Sequence, residues 1–273
     1  VTDLFESEQQ NRNTQDELRR AKEAVAGPVP IIGDAPDVIF RLPRGLYDNG
    51  SWHREVIVRE LTGADEEVLA KVPDQLAFFT TVIALGVESI GTFDFGSMPM
   101  NDRKGALGEL LLGERDQLFM KVAQTSFGDN KEISFVCTAC QAEQDVTLIL
   151  SEDFKPREVG DIKDIYTFTT SKGDVLDYRP AIGSDQEEAV GRKGATLAEQ
   201  NTIMLSRCVT KRNGNLIPDP TAFVRNLGIK DRQALLSKLV ECQPSISLVV
   251  HTNCASCGGE QSIALGWQDI FRP

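Results

Sequence analysis

The sequence predicts an α+β fold. Two similar subdomains, each a β-hairpin followed by helices and a cysteine knuckle, are joined through one shared zinc ribbon. Three observations lead there. Strand-like runs bounded by tight-turn residues alternate with helical patterns. Two C-x-x-C pairs, Cys137-Thr-Ala-Cys140 and Cys254-Ala-Ser-Cys257, sit between strand-like segments. One order of features also occurs twice, over roughly 37–150 and 165–270, which reads as an internal duplication.

The first 30 residues form a polar arm, rich in Glu, Gln, Lys, Arg and Ala but with little to bury. Two readings stay open for it: a solvated extension, or a segment that folds on a neighbouring subunit. Gly27-Pro28-Val29-Pro30 separates the arm from the first hairpin. Residues 31–160 are read as the first subdomain, with the knuckle Cys137/Cys140, and residues 161–273 as the second, with the knuckle Cys254/Cys257.

Each subdomain opens with a hairpin. In the first, Val38–Leu42 and Glu55–Leu61 flank a turn at Tyr47-Asp48-Asn49-Gly50, where Asn-Gly is the strong signal. In the second, Tyr166–Thr170 and Val175–Arg179 flank Lys172-Gly173-Asp174. Each hairpin then runs through an arginine into an acidic helix start: Arg59 to Asp65-Glu66-Glu67, and Arg179 to Asp185-Gln186-Glu187. Thr62 is a suitable N-cap. Acidic residues in a first turn answer the helix dipole, so these groups are read as caps and not as a catalytic pair.

Later helices carry apolar faces at Leu118, Phe119 and Val122, and at Leu235, Leu236 and Leu239. Alignment on Leu-Gly pairs Asp116 with Asp231. Between Ile90 and Lys104, Phe93, Phe95, Met98 and Met100 either cap the core or form a contact patch. Each subdomain closes on strand, knuckle and strand.

A zinc ribbon needs four thiolates in a tetrahedron, two from each tight knuckle. Cys137, Cys140, Cys254 and Cys257 supply them, and one structural zinc per chain is expected. The 114-residue gap from Cys140 to Cys254 far exceeds the usual ribbon, but a duplication that brings equivalent knuckles together accounts for it. Redox use of the pairs, ions shared between chains, and disulfides are the rival readings. His251 is read as a strand-surface residue, and Cys208 and Cys242 as buried small apolar groups.

Composition narrows the function. Apolar residues make up 41% of the 273 and charged residues 26%, enough for a sizeable core. Lys and Arg total 29 against 41 Asp and Glu, and the net charge of −12 argues against gripping nucleic acid or an anionic membrane. No Lys or Arg lies between Ile133 and Leu150 or between Ser245 and Trp267, so the ribbon lacks a basic face. No run is long enough to span a membrane, and the polar start shows no export signal. The expected compartment is therefore the cytoplasm. Phosphate-binding glycine loops and nucleophile elbows are absent, and four cysteines leave no open metal position, so no enzymatic activity or small-molecule substrate is expected.

The ordered set of Arg41-Leu42-Pro43-Arg44-Gly45, Val56–Glu67, Leu118-Phe119-Met120-Lys121, Gln124–Gly128 with Cys137 and Cys140, and Pro244-Ser245-Ile246 with Cys254–Gly259 and Asp269-Ile270-Phe271 resembles the T4-type baseplate protein family of tailed phages and related contractile injection systems. The resemblance covers about residues 37–271. It implies a non-enzymatic component of the baseplate hub, or a factor that assembles it. Hub, tube or tape-measure proteins would be its partners, and it would reside in the virion tail after assembly in the host cytoplasm. The metal is read from cysteine spacing and not from the resemblance. A zinc-ribbon adaptor binding nucleic acid or a nucleic-acid enzyme is the alternative reading.

Overall fold

The computed structural model describes residues 38–271, and the arm expected over 1–30 lies outside them. The chain opens with β1 (Val38–Asp48) and β2 (Ser51–Val58). Their turn residues Asn49 and Gly50 have φ of 46° and 85°, the positive values a two-residue hairpin needs. β1 runs further than the sequence suggests, passing through Pro43 and a bulge between Arg41 and Leu46. Its place at the sheet edge tolerates the proline.

After α1 (Gly63–Leu69) and α2 (Gln75–Gly86), β3 (Val87–Ile90) and β4 (Phe93–Asp94) complete a four-stranded antiparallel sheet in the order β1-β2-β3-β4. α3 (Met100–Gly108) and α4 (Leu112–Phe127) lead to a separate hairpin, β5 (Asn130–Val136) and β6 (Glu143–Ile149), and then to α5 (Leu150–Asp153). A similar succession of elements comes next. β7 (Tyr166–Thr169) and β8 (Val175–Tyr178) precede α6 (Gly183–Gly191) and α7 (Leu197–Cys208). β9 (Val209–Arg212) and β10 (Asn215–Leu216) complete a second sheet, ordered β10-β9-β8-β7. α8 (Pro220–Arg225), α9 (Ile229–Glu241), the hairpin of β11 (Val249–Asn253) and β12 (Glu260–Ala264), and α10 (Trp267–Phe271) finish the described chain. The architecture is mixed helix and sheet, as expected.

The acidic helix starts are caps. Arg59 grips Asp65 with Nη1 and Nη2 at 2.8 and 3.0 Å, and Arg179 grips Asp185 at 2.7 and 2.8 Å. The same carboxylates accept the backbone N–H of Thr62 and of Ile182, at 2.8 and 3.0 Å. Thr62 returns a hydroxyl acceptor to Asp65 N–H and closes a capping box. A second pair of carboxylates locks α4 and α9 onto the hairpins. Buried Glu114 accepts from the N–H groups of Arg44 and Gly45, at 2.5 and 2.7 Å, and Asp231 accepts from the N–H and hydroxyl of Ser171, both at 2.8 Å. These are the third residues of their helices. On α4 the carboxylate that bonds the hairpin backbone is thus Glu114 and not Asp116.

Two apolar clusters form. The first gathers Val56, Val58, Ile83, Leu118, Phe119 and Val122, with Phe95 fully buried and Phe93, Met98 and Met100 packed against it. The Ile90–Lys104 apolar residues therefore cap the core. α10 also docks here: Phe119 lies 4.9 Å from the ring of Trp267 and 4.8 Å from that of Phe271. The second cluster gathers Leu176, Leu205, Val209, Leu235 and Leu239 around Cys208 and Cys242. Among the described residues one isolated antiparallel bridge, Leu111 to Ile182, joins the two runs of elements, and Gly183 N–H donates to the Leu110 carbonyl at 3.0 Å. Arg115 is buried at this seam, bonding Thr80 Oγ1 at 2.6 Å and Glu187 at 2.8 Å. Gly183 makes room for it, since a Cβ there would lie 2.1 Å from the arginine Nη1.

Burial alone would raise the Asp185 carboxyl. Arg179, the Ile182 amide and Arg207 outweigh it and hold the group below the ordinary carboxylate range. Burial likewise works against Asp65, but Arg59 and Thr62 bring it to about 2. With folded values below unfolded ones, both groups contribute stability that is full above about pH 4 and is lost as pH falls toward 2. Asp185→Asn leaves two arginines without their partner and should cost about 3 kcal/mol at pH 7. Urea denaturation should also show a flatter stability curve between about pH 4 and 2 than in the parent.

Candidate metal centre

The hairpins β5/β6 and β11/β12 stand side by side with their knuckles facing. The Sγ atoms of Cys137, Cys140, Cys254 and Cys257 all lie within 4.8 Å of one another, although 114 residues separate the inner pair in sequence. The close contacts are reciprocal. The first cysteine of each knuckle meets the second of the other, Cys137 to Cys257 at 3.8 Å and Cys140 to Cys254 at 3.6 Å. These separations are far too long for S–S bonds. They match the edge of a tetrahedron about 2.3 Å from centre to sulfur, which is about 3.8 Å. The four residues could therefore hold one metal ion.

Each knuckle is the same turn. Cys137 N–H donates to the Ala142 carbonyl and Gln141 N–H to the Cys137 carbonyl, at 2.9 and 3.0 Å. Cys254 N–H donates to Gly259 and Gly258 N–H to Cys254, at 2.9 and 2.8 Å. The residue after the second cysteine has positive φ in both, 61° at Gln141 and 71° at Gly258. Glycine eases that position in one knuckle, and the other reaches it with a glutamine.

The sulfurs share protons unevenly. Cys254 is lowered to about 6, chiefly because the Cys257 amide points at its sulfur, with the Ser256 amide adding to the effect. For Cys140 the Ala142 amide also lowers the value, but hydrogen bonds with Cys254, Cys257 and Cys137 more than undo it and push the thiol up to about 12. Hydrogen bonds among crowded thiols oppose ionisation at Cys140 in this way, and ligation of a cation takes the deprotonated form.

Two glutamines join the knuckles, and the sequence reading missed both. Gln144 Oε1 accepts the Ala255 N–H at 2.7 Å, and its Nε2 donates to Ser256 Oγ at 3.1 Å. Gln261 Oε1 accepts the N–H and the hydroxyl of Thr138, both at 3.0 Å. A signal for them exists in the sequence: each knuckle reads C-x-x-C-x-x-Glu-Gln. His251 stays outside the cluster, exposed on β11 with Nδ1 3.0 Å from Ser262 Oγ. Cys208 and Cys242 are buried in the second apolar cluster, as expected of small apolar residues.

Burial raises the Cys208 thiol far above its ordinary value, with Asp185 adding to it, and raises Cys242 to about 11. Cys140 and Cys257 are exposed. A thiol-alkylating reagent at pH 8, applied to native protein in chelator, should therefore modify exposed Cys257 well before buried Cys208 and Cys242. Peptide mass spectrometry reads the order, and early labelling of Cys208 would contradict the packing described.

Among the described residues no helix is long and apolar enough to cross a membrane. Neither the curated proteins nor the solved structures gave a match. The family model described as T4 bacteriophage base plate protein matches residues 98–272, a span that takes in both knuckles and begins later than the resemblance read from residue 37. The match covers well over half of the sequence, and the chain belongs to the T4 bacteriophage base plate protein family.

Proposed function

We propose that the protein is a non-enzymatic structural or assembly component of the baseplate hub of a phage, or of a phage-like contractile injection system. In it one zinc ion, held by Cys137, Cys140, Cys254 and Cys257, ties two duplicated subdomains into a rigid docking body. Membership of the base plate family supports the tail setting and makes neighbouring tail proteins the partners, with hub, tube and tape-measure components first among them. The convergence of four sulfurs from two distant knuckles carries the metal reading. Thiolates favour zinc, and four of them leave no position for water, which suits a structural ion and not a catalytic one.

The duplication, divided near residue 160, is supported by details that chance would not repeat. Both arginine–aspartate clamps span six positions. Leu112 to Cys137 and Ile229 to Cys254 are both 25 positions. Arg59 N–H donates to the Gly86 carbonyl, and Arg179 N–H to that of Cys208, each at the end of the second helix in its run. A cleft of about 790 Å³, lined by Arg44, Tyr47, Trp52, Phe93, Arg179 and Ile182, has the aromatic and arginine composition common at protein interfaces.

Native mass spectrometry should find one zinc per chain, lost with the compact charge-state distribution in strong chelator. Cys254→Ser should destabilise the whole cooperative unit by several kcal/mol, since zinc binding is worth on the order of 10 kcal/mol. Unchanged cooperative unfolding in that variant would sink the zinc clamp. For the tail role, quantitative proteomics of purified particles and of assembly intermediates should find the chain in one or both. Its absence from all of them would overturn the baseplate reading.

A further inference from the structure

We infer that Gln144 and Gln261 are the positioning residues of the thiolate site, a reciprocal clamp in which each half of the chain shapes the half-site of the other. The inference rests on the proposed metal reading. Each glutamine lies four positions after the second cysteine of its own knuckle, on β6 and on β12. Each reaches across to the residue next after the first cysteine of the opposite knuckle, Gln144 to Ala255 and Gln261 to Thr138. The target in both cases is a backbone N–H, which can only donate, so the amide oxygen must face it.

The side-chain amide suits this place for three reasons. It is neutral, whereas a carboxylate would add charge beside four sulfurs destined to be anionic. It carries a donor as well as an acceptor, and the second group is used: Gln144 Nε2 donates to Ser256 Oγ, and Gln261 Nε2 donates to the Glu260 carbonyl at 2.8 Å. Its length spans the gap between hairpins. Strand alternation selects it over its neighbour, because Glu143 and Glu260 are exposed while Gln144 is half-buried and Gln261 is buried.

The consequence is spatial. Among the described residues no β-ladder joins the two hairpins; each is its own two-stranded sheet. The hydrogen bonds of the glutamines act in place of a ladder. They set the knuckle separation, and so help to hold the four thiols at ligand spacing. Pre-organisation of this kind raises affinity by removing an ordering cost at the moment of binding.

Cobalt(II) titration of the full chain against a competing chelator tests the clamp, with Gln144→Met, Gln261→Met and the double variant compared to the parent. Methionine keeps the bulk and removes the hydrogen bonds. The expected result is a tetrathiolate cobalt spectrum retained in every variant, with affinity lower by about 10-fold in the single variants and about 100-fold in the double. A merely structural residue would not produce the second expected signature, which is a trans effect. Alkylation of metal-loaded protein should accelerate at Cys257 in Gln144→Met and at Cys140 in Gln261→Met. Affinities within about twofold of the parent, or acceleration at the knuckle of the substituted hairpin itself, would overturn the clamp while leaving the metal site intact. A parent chain that takes up no cobalt would overturn the metal reading and the clamp with it. If a methionine variant does not fold, Gln144→Glu keeps an acceptor for Ala255 and adds charge. It loses only the donor to Ser256, so cobalt affinity should fall by less than the about 10-fold expected of methionine, and a larger loss would count against the clamp.

Discussion

Four sulfurs within 4.8 Å, drawn from two hairpins more than a hundred residues apart, impose a constraint that the rest of the fold must meet. A two-stranded hairpin has little stability alone. Among the described residues neither β5/β6 nor β11/β12 extends a larger sheet, so each depends on the body behind it for position. α4 and α9 lead into these hairpins, and the carboxylates of Glu114 and Asp231 hold those helices to the opening hairpins of their runs. Placement of the sulfurs therefore traces back through two helices to two hairpins.

The seam between the apolar clusters carries the other half of that constraint. It includes the one isolated bridge among the described residues, Leu111 to Ile182, and it buries Arg115 against Thr80, Glu187 and the face of Phe79. A buried guanidinium tolerates little displacement of its partners, because each lost bond leaves an unpaired charge in a dry site. The aromatic group of Phe79, Phe119, Trp267 and Phe271 fastens the C-terminal helix to the first cluster and thereby carries the chain back across the seam. Seam, aromatic group and the hydrogen bonds between the cysteine knuckles are separate ties between early and late parts of the described chain.

For a base plate family member these ties fit a structural component of the phage baseplate. The net charge of −12 disfavours polyanionic partners.

Much of this is legible from residues alone. Asn49-Gly50 marks its hairpin, Thr62 its cap, and the apolar faces of α4 and α9 their cores, because turn chemistry and helical periodicity act over a few residues. The two C-x-x-C pairs and the doubled order of features point to facing knuckles by spacing. Other points depend on the fold. Alignment pairs Asp116 with Asp231, whereas the carboxylate that grips the hairpin backbone is Glu114, a choice made by helix phase and reach. The glutamines escape a reading along the chain because their partners lie more than a hundred residues away. Local rules thus determine which segments turn, coil and present sulfur. Only tertiary packing decides which groups meet, since a hydrogen bond between distant hairpins depends on distances in space that sequence separation does not encode.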